Sequence, residues 1–169
     1  VFRAKTLGIE GSERLVALKR LLPFISADKE IVSLFIDEAK LLIQLNQANI
    51  CKVFDWGKAE DSYYLAMEFV AGCTAKQAFA RCREEQPDGT PTMPLAQACL
   101  IVMKACEGLD YAHNRKDALG AELGVVHRDV SPSNLMISFE GGVKVIDLGL
   151  AKLERQLRQS NSATGTMQG

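Results

Sequence analysis

The sequence predicts an α+β protein with two lobes, the first rich in strands and the second mainly helical. Three observations predict this class. Short apolar runs separated by turns fill most of residues 1–68, an amphipathic helical pattern covers residues 28–46, and a second helical pattern covers residues 95–113. A chain of 169 residues is long enough for one domain with a real core, or for two small lobes.

The first lobe is expected to combine four strands with one helix. A strand over residues 14–22 follows a glycine-rich turn at 8–11, and residues 1–4 are expected to pair with it. Asp28 is the expected N-cap of a helix over 28–46. Its apolar residues follow a 3–4 spacing: Ile31, Leu34, Phe35, Ala39, Leu42 and Leu45. Strands over 51–56 and 63–68 follow, separated by a polar turn at 58–61.

The second lobe begins after a short connector at residues 69–74. Thr74 is a candidate N-cap for a helix that runs to about residue 85, and residues 86–94, with three prolines, predict a loop. A long helix follows over 95–113, and a second loop covers 115–124. The expected buried face of that helix contains Leu95, Ala98, Val102, Cys106, Leu109 and Ala112. A hairpin of residues 134–138 and 143–146 turns at 140–142, and the tail from residue 154 is polar.

Composition excludes several classes of partner. The net charge of −1, with 47% hydrophobic and 24% charged residues, is ordinary for a globular protein and gives no basic face for nucleic acid. No apolar run approaches the roughly 18 residues that span a bilayer, so no membrane segment is expected within the chain. The first residues also lack the apolar run of a signal peptide.

Five cysteines are scattered without a CxxC pair, and the chain has only two histidines, so a zinc site is not expected. An odd number of thiols fits a reducing compartment. We expect these thiols to act as small core residues, including Cys99 and Cys106 on the long second helix.

The most informative motif is His127-Arg128-Asp129, whose Asp129 stands five residues before Asn134 and eighteen before Asp147. A loop with a carboxylate and an amide, followed by a hairpin that returns a second carboxylate, predicts one cavity for all three groups. Divalent cations such as Mg²⁺ prefer oxygen ligands, and nucleotide phosphates bind those cations. We therefore predict that Asp129 is a catalytic carboxylate and that Asn134 and Asp147 bind metal. For the tripeptide alone, a polar turn capping a hairpin would be the better interpretation.

Lys19 lies at the inward-facing end of a strand pattern, where a lysine needs a partner. Glu38 lies beside the buried stripe of the following helix and could pair with it, which would hold the ammonium against phosphate oxygens. Glu30 could compete, but its place in the first helical turn is better explained by the helix dipole. Each residue alone is a weak signal, and their order ahead of Asp129 strengthens it.

Taken together, Lys19, Glu38, Asp129, Asn134 and Asp147 resemble the functional positions of a protein kinase, in particular the eukaryotic-like Ser/Thr kinases of bacteria. The resemblance implies a two-lobe kinase-like fold and transfer of the γ-phosphate of ATP to Ser or Thr hydroxyls of protein substrates. It implies ATP with Mg²⁺ or Mn²⁺ as cofactors.

The same resemblance implies further roles. Arg128 would grip a phosphorylated activation segment. The adenine would lie between Val1 and Ala17 above and Met136 below, with Met67 as gatekeeper. The backbone of two further residues would hydrogen-bond the adenine edge, namely Glu68 and Val70. A hydrophobic column would form from Leu42, His127 and Leu148.

The resemblance also implies how the chain is organised. Residues 1–68 would form an N-lobe without the glycine-rich loop, 69–73 the hinge, and 74–169 the start of the C-lobe through part of the activation segment. We therefore expect a kinase domain truncated at both ends. Two positions depart from the family: Leu148 replaces the usual Phe, and Ser131 replaces the Lys of Ser/Thr kinases, which leaves the acceptor less certain than the fold.

Two other functions remain as rivals. A pseudokinase would bind nucleotide or a partner without transfer, but such proteins usually lose the equivalent of Lys19, Asp129 or Asp147. A small-molecule kinase would carry His-Gly-Asp, so Arg128 argues against it. A kinase of this type is expected in the cytoplasm, or at the cytoplasmic face of a membrane if a spanning helix lies outside this chain. Candidate phosphorylation sites are Ser160, Ser162, Thr164 and Thr166.

Overall fold

A computed structural model describes residues 1–7, 12–21, 26, 28–84 and 93–148. The predicted turn at 8–11, most of the loop at 86–94 and the segment from 149, with its four candidate phosphorylation sites, lie outside these residues. The described residues form two compact units. The first unit comprises Val1–Gln44 and Lys52–Phe69, and the second comprises Leu45–Cys51 and Val70–Leu148.

The first unit is built on a four-stranded antiparallel sheet with the order β1-β2-β4-β3. Its strands are β1 (Phe2–Leu7), β2 (Glu13–Arg20), β3 (Val53–Ala59) and β4 (Ser62–Glu68). All four predicted strands are present, with ends that differ by a few residues. The β3–β4 turn is tighter than predicted, because Glu60 adopts a left-handed conformation (φ 51°) that closes the hairpin within two residues.

Helix α1 (Lys29–Ile43) packs on one face of this sheet. Asp28 caps it as predicted: its carboxylate accepts hydrogen bonds from the N–H groups of Glu30 and Ile31. The buried stripe contains Ile31, Phe35, Ala39 and Leu42, and the Phe35 ring meets the Tyr63 ring edge-on at 6.5 Å between centroids. The helix ends at Ile43 rather than at residue 46, and Leu45 is buried beyond its end.

The second unit holds helices α2 (Ala75–Glu84) and α3 (Leu95–His113) and an antiparallel sheet of order β5-β6-β7. Strand β5 (Gly72–Thr74) lies in the predicted connector, where no strand was predicted. Three residues, one of them glycine, are too few to show the alternation of apolar and polar side chains that marks a strand. Gly72 is required there, since a Cβ would lie 1.9 Å from the carbonyl oxygen of Ile137. Strands β6 (Leu135–Ser138) and β7 (Val143–Val145) form the predicted hairpin.

Thr74 caps α2 in a reciprocal arrangement. Its hydroxyl accepts from the N–H of Gln77 at 3.1 Å, and the Gln77 side-chain oxygen accepts from the N–H of Thr74 at 2.9 Å. This capping box satisfies two backbone donors at once, and it confirms the predicted cap.

Helix α3 has the predicted bounds, but its predicted buried face was wrong in part, because only Ala112 of that face is fully buried. Leu95 and Val102 are 79% and 59% exposed, and the buried residues are Ala105, Gly108 and Ala112. The helix contacts its neighbours through small side chains, which let the backbones come close. The face with the largest apolar residues is not the buried one. A Cβ on Gly108 would lie 2.8 Å from the carbonyl oxygen of Asn49.

The cysteine prediction was also wrong in part. None of the five cysteines forms a disulfide, but Cys99 and Cys106 on α3 are exposed rather than buried, and the other three are half-buried. Among the described helices, none combines the length and apolar character needed to cross a membrane.

Candidate active site

His127 is buried, at 1% exposure, in the loop that also carries Asp129. Its Nε2 lies 3.0 Å from the carbonyl oxygen of Ile146, and its Nδ1 accepts from the N–H of Asp129 at 3.3 Å. A carbonyl can only accept, and a backbone N–H can only donate. A neutral imidazole with its proton on Nε2 therefore satisfies both contacts. The ring ties the loop that carries Asp129 to the strand end that precedes Asp147.

Asn134 holds Asp129 from the other side. Its side-chain nitrogen donates to the backbone oxygen of Asp129 at 2.9 Å and to the carboxylate Oδ2 at 2.8 Å. The loop between them closes through a 3₁₀ turn, Pro132–Asn134, with the N–H of Asn134 donating to Ser131 O at 2.9 Å. Because the amide nitrogen is engaged with Asp129, the amide oxygen of Asn134 is the atom left for a cation.

Asp147 follows β7 by two residues and is half-buried. The preceding residue is held on both sides: the N–H of Ile146 donates to Asn134 O at 2.9 Å, and its carbonyl meets His127. Asp147 itself adopts φ 56°, and Arg128 adopts φ 65°. Left-handed backbone costs a non-glycine residue about 1 kcal/mol or more and persists only where surrounding contacts impose it. Both strained residues flank the proposed chemistry.

The donor set fits a divalent cation bound together with phosphates. The amide oxygen of Asn134 and the carboxylate of Asp147 are the hard oxygen donors that Mg²⁺ and Mn²⁺ accept. No group of three or more His, Cys, Asp or Glu side chains in the described part of the chain could hold a metal by itself. Mg²⁺ is typically held by one or two carboxylates plus substrate phosphates, so two protein ligands fit a nucleotide-dependent site better than a purely protein one.

In the first unit, Lys19 faces the side of the sheet on which α1 packs. It lies opposite Leu65 in the β2–β4 register, and Leu65 shares a face with Tyr63, which contacts Phe35 of α1. Lys19 and Glu38 are both half-buried and both engaged in polar contacts. Glu30 is exposed in the first turn of α1, as its helix-dipole interpretation requires. The Lys19–Glu38 pair itself stays a prediction.

The predicted adenine residues are divided between the two units. Ala17 lies opposite Met67 in the same register, on the face of Lys19, and Met67 is buried. Glu68 and Val70 are half-buried at the end of the first unit and the start of the second, and Val1 is 79% exposed. In the second unit, Met136 is half-buried in the middle strand, paired with Thr74 and Lys144. Their roles toward adenine stay predictions.

The first unit also contains a cavity of about 290 Å³ that is separate from these residues. It is lined by Arg14, Val16 and Leu18 of β2 and by Tyr64 and Ala66 of β4, among others. Since side chains alternate along a strand, this lining lies on the opposite face from Ala17 and Lys19. The cavity is therefore not the predicted nucleotide site.

Sequence reasoning missed one buried polar residue near the site. Asn49 is 8% exposed, and its side-chain nitrogen donates to Val143 O of β7 at 2.9 Å. The only signal was an amide placed a few residues before a strand, in a stretch with several other amides. That signal does not distinguish a buried amide from an ordinary turn residue.

Comparison with known proteins agrees with the fold and the motif. The family model described as "Protein kinase domain" matches residues 5–168. The chain is 39% identical, over 100% of its length, to a tyrosine-protein kinase, MasK, of Myxococcus xanthus. It is 36% identical, over 90% of its length, to the serine/threonine-protein kinase PknB of Mycobacterium leprae. The crystal structure of the PknI kinase domain from Mycobacterium tuberculosis superposes with a TM-score of 0.64 at 31% identity, over 80% of this chain. The chain therefore belongs to the protein kinase domain family.

The matches cover only part of each relative. The chain spans 25% of the MasK sequence, 22% of the PknB sequence and 48% of the PknI kinase-domain chain. The activities of these whole proteins therefore serve only as support for the proposal below.

Proposed function

We propose that the protein transfers the γ-phosphate of ATP to hydroxyl groups of protein substrates, with Asp129 as the catalytic carboxylate. One observation carries the proposal: Asn134 holds Asp129 through two hydrogen bonds while the strand end before Asp147 is held by both His127 and Asn134. Asp129 and Asn134 are thus in direct contact, and Asp147 directly follows Ile146, whose backbone both His127 and Asn134 contact.

The chemistry follows from these positions. Asn134 and Asp147 would hold the divalent cation, which supplies positive charge at the phosphates when bound. The acceptor oxygen forms a bond to the γ-phosphorus while the bond from that phosphorus to the bridging β-phosphate oxygen breaks, and ADP leaves with the bonding electrons. Asp129 orients the acceptor hydroxyl and takes up its proton, for which the carboxylate oxygen not bonded to Asn134 is suited.

The first unit would contribute charge and shape. We propose that Lys19, oriented by Glu38, contacts the ATP phosphates, and that Ala17, Met67 and the backbone of Glu68 and Val70 contact the adenine. Lys19 shares a sheet face with Ala17 and Met67, which supports this assignment. Lys19→Met should raise the KM for ATP and lower kcat, and Glu38→Gln should act in the same direction but more weakly.

Two candidate acceptors differ in what supports them. Ser and Thr are favoured by the serine/threonine kinases among the relatives. Tyrosine is favoured by the similarity to a tyrosine-protein kinase over the whole chain, and Ser131, which replaces the lysine of Ser/Thr kinases, leaves the acceptor open. Labelled phosphate transfer to matched peptides that differ only in Ser, Thr or Tyr would separate the two.

The test of transfer itself is Asp147→Ala in the intact protein that carries this chain. Loss of an electrostatic contact to the reacting phosphates is expected to lower kcat by about 100-fold or more. Asp61→Asn, at the exposed turn after β3, is the matched control and should keep the wild-type rate. Undiminished phosphate transfer in Asp147→Ala would refute the proposal, and transfer that is absent from the wild type would favour the pseudokinase.

We also propose that the active site faces the cytoplasm, whether or not the intact protein is attached to a membrane. ATP is the proposed co-substrate, and five cysteines without a disulfide among them fit a reducing compartment. Fractionation of cells with an antibody to this chain would test the location.

A further inference from the structure

The segment before β3 lies alongside β7, on the side opposite to β6. The N–H of Val145 donates to Asn49 O at 2.8 Å, and the N–H of Cys51 donates to Val145 O at 2.9 Å. Ile50 and Val145 form a parallel bridge, while β6 pairs with β7 on the other side. Strand β7 is therefore hydrogen-bonded along both edges, which restrains its position more than an edge strand would be restrained.

The side chain of Asn49 adds a second attachment to the same strand. Its nitrogen donates to Val143 O at 2.9 Å, and its oxygen accepts from the side-chain nitrogen of Gln47 at 3.2 Å. Both ends of a buried carboxamide are thus engaged, which holds it in one orientation. Asn49 contacts β7 at two points, Val143 through its side chain and Val145 through its backbone.

Gly108 of α3 lies against the backbone carbonyl of Asn49. A Cβ at Gly108 would lie 2.8 Å from the Asn49 carbonyl oxygen and 3.2 Å from its carbonyl carbon. That carbonyl is the acceptor for the N–H of Val145. Any side chain at position 108 must therefore displace either the helix or the acceptor that holds β7.

Strand β7 ends at Val145, and Asp147 follows after one intervening residue. We propose that Asn49, supported by Gly108, is a positioning residue for Asp147. It holds the strand from which the strained Asp147 extends, and so sets how strongly the site binds a divalent cation. The inference rests on the proposed function, because it assigns Asp147 to that cation. Groups that orient metal ligands typically change metal affinity by 10- to 100-fold when they are removed.

The variants are chosen to separate positioning from stability. Asn49→Asp keeps the shape of the side chain but replaces the donor to Val143 O with an acceptor. Gly108→Ala leaves Asn49 intact and pushes on its carbonyl. Asn49→Ser retains a hydroxyl donor and is the conservative variant. Thr74→Ala, which weakens the cap of α2 in the same unit, is the control for a loss of stability alone.

Two measurements are made on the intact protein as free Mg²⁺ is varied: binding of a fluorescent ATP analogue, and transfer of labelled phosphate at saturating ATP. For Asn49→Asp and Gly108→Ala we expect the Mg²⁺ concentration at half-maximal binding to rise about tenfold or more. Asn49→Ser should fall between these variants and the wild type. At saturating Mg²⁺, the KM for the peptide substrate should be unchanged. Thr74→Ala should lower the Tm without changing the Mg²⁺ dependence.

Folded Asn49→Asp and Gly108→Ala proteins with wild-type Mg²⁺ dependence would overturn the inference, and so would loss of folding in all three variants, which would make Asn49 purely structural. The binding measurement separates this inference from the proposed function. If the wild type transfers phosphate but the variants bind at the same Mg²⁺ concentration as the wild type, only the positioning role is refuted. If the variants need more Mg²⁺ for binding but the wild type transfers no phosphate, only the kinase proposal is refuted.

Discussion

The side-chain nitrogen of Asn134 donates to the carboxylate of Asp129 at 2.8 Å and to its backbone carbonyl at 2.9 Å. One amide thus fixes both the main chain and the side chain of the proposed catalytic residue. The same residue leaves its amide oxygen for the proposed cation, so the orientation of the carboxylate and the proposed metal binding would depend on one rotamer.

Asp129→Asn should lower kcat by about 100- to 10,000-fold and leave the KM for ATP nearly unchanged, because a neutral amide cannot take up the acceptor proton. Steady-state kinetics with labelled ATP provide the measurement, with Asp61→Asn as the control. A variant that retains more than a tenth of the wild-type kcat would show that Asp129 is not the catalytic carboxylate.

Asn134→Ala removes the two contacts to Asp129 together with the proposed metal oxygen. We expect a lower kcat and a higher requirement for free Mg²⁺, along with a loss of about 1 kcal/mol in the free energy of unfolding from the lost hydrogen bonds. EDTA should abolish transfer in the wild type, and added Mg²⁺ or Mn²⁺ should restore it. If the variant needs no more Mg²⁺ than the wild type, Asn134 is not a ligand.

Thr74→Ala should lower the free energy of unfolding by about 1 kcal/mol, since it opens the capping box with Gln77. For a domain of this size, that corresponds to a fall in Tm of about 2–4 °C. Thr74→Ser keeps the hydroxyl and should remain close to the wild type. Thermal unfolding followed by circular dichroism distinguishes the two, and equal Tm values would contradict the cap.

Gly72→Ala should destabilise the second unit by about 1–3 kcal/mol, because its Cβ would meet the backbone of Ile137 and Ser138 at 1.9 and 2.7 Å. Gly142→Ala is the control: its Cβ would meet only the Ser138 hydroxyl, at 3.2 Å. Urea unfolding of both variants checks the prediction. A Gly72→Ala protein as stable as Gly142→Ala would mean that β5 can move away from β6 at little cost.

The chain of residues 1–169, studied by itself, should self-associate through α3. Leu95, Leu100, Val102 and Met103 are 79%, 45%, 59% and 50% exposed on this helix. Replacing Leu100 and Met103 by Gln keeps helix propensity and removes apolar surface, so the variant should scatter less light at equal concentration. A wild-type chain that stays monomeric and unfolds cooperatively would contradict this expectation.

Most elements and the proposed site could be predicted because they leave local signals. Asp28 and Thr74 are caps next to periodic apolar runs, and the spacing of Asp129, Asn134 and Asp147 is a motif along the chain. What could not be predicted depends on neighbours far away in sequence. Gly108 matters because the backbone at Asn49 lies against it, 59 positions away along the chain.

The face of α3 illustrates the same limit. Periodicity identifies a stripe of large apolar residues, but burial follows the stripe that allows close approach, which depends on the partner. Strand β5 was not predicted for a related reason. Three residues carry too little pattern, and its pairing with β6 connects positions more than 60 apart in the chain.

The contacts of His127 can be made by few other side chains. It must donate from one atom and accept at another, across the width of an imidazole, to backbone groups on two different segments. Asn and Gln carry a donor and an acceptor only on adjacent branches of one carboxamide, and Phe fills the space with neither. The rigid imidazole therefore links the two segments through hydrogen bonds alone. A single side chain thus joins the backbone next to Asp147 to the backbone of Asp129.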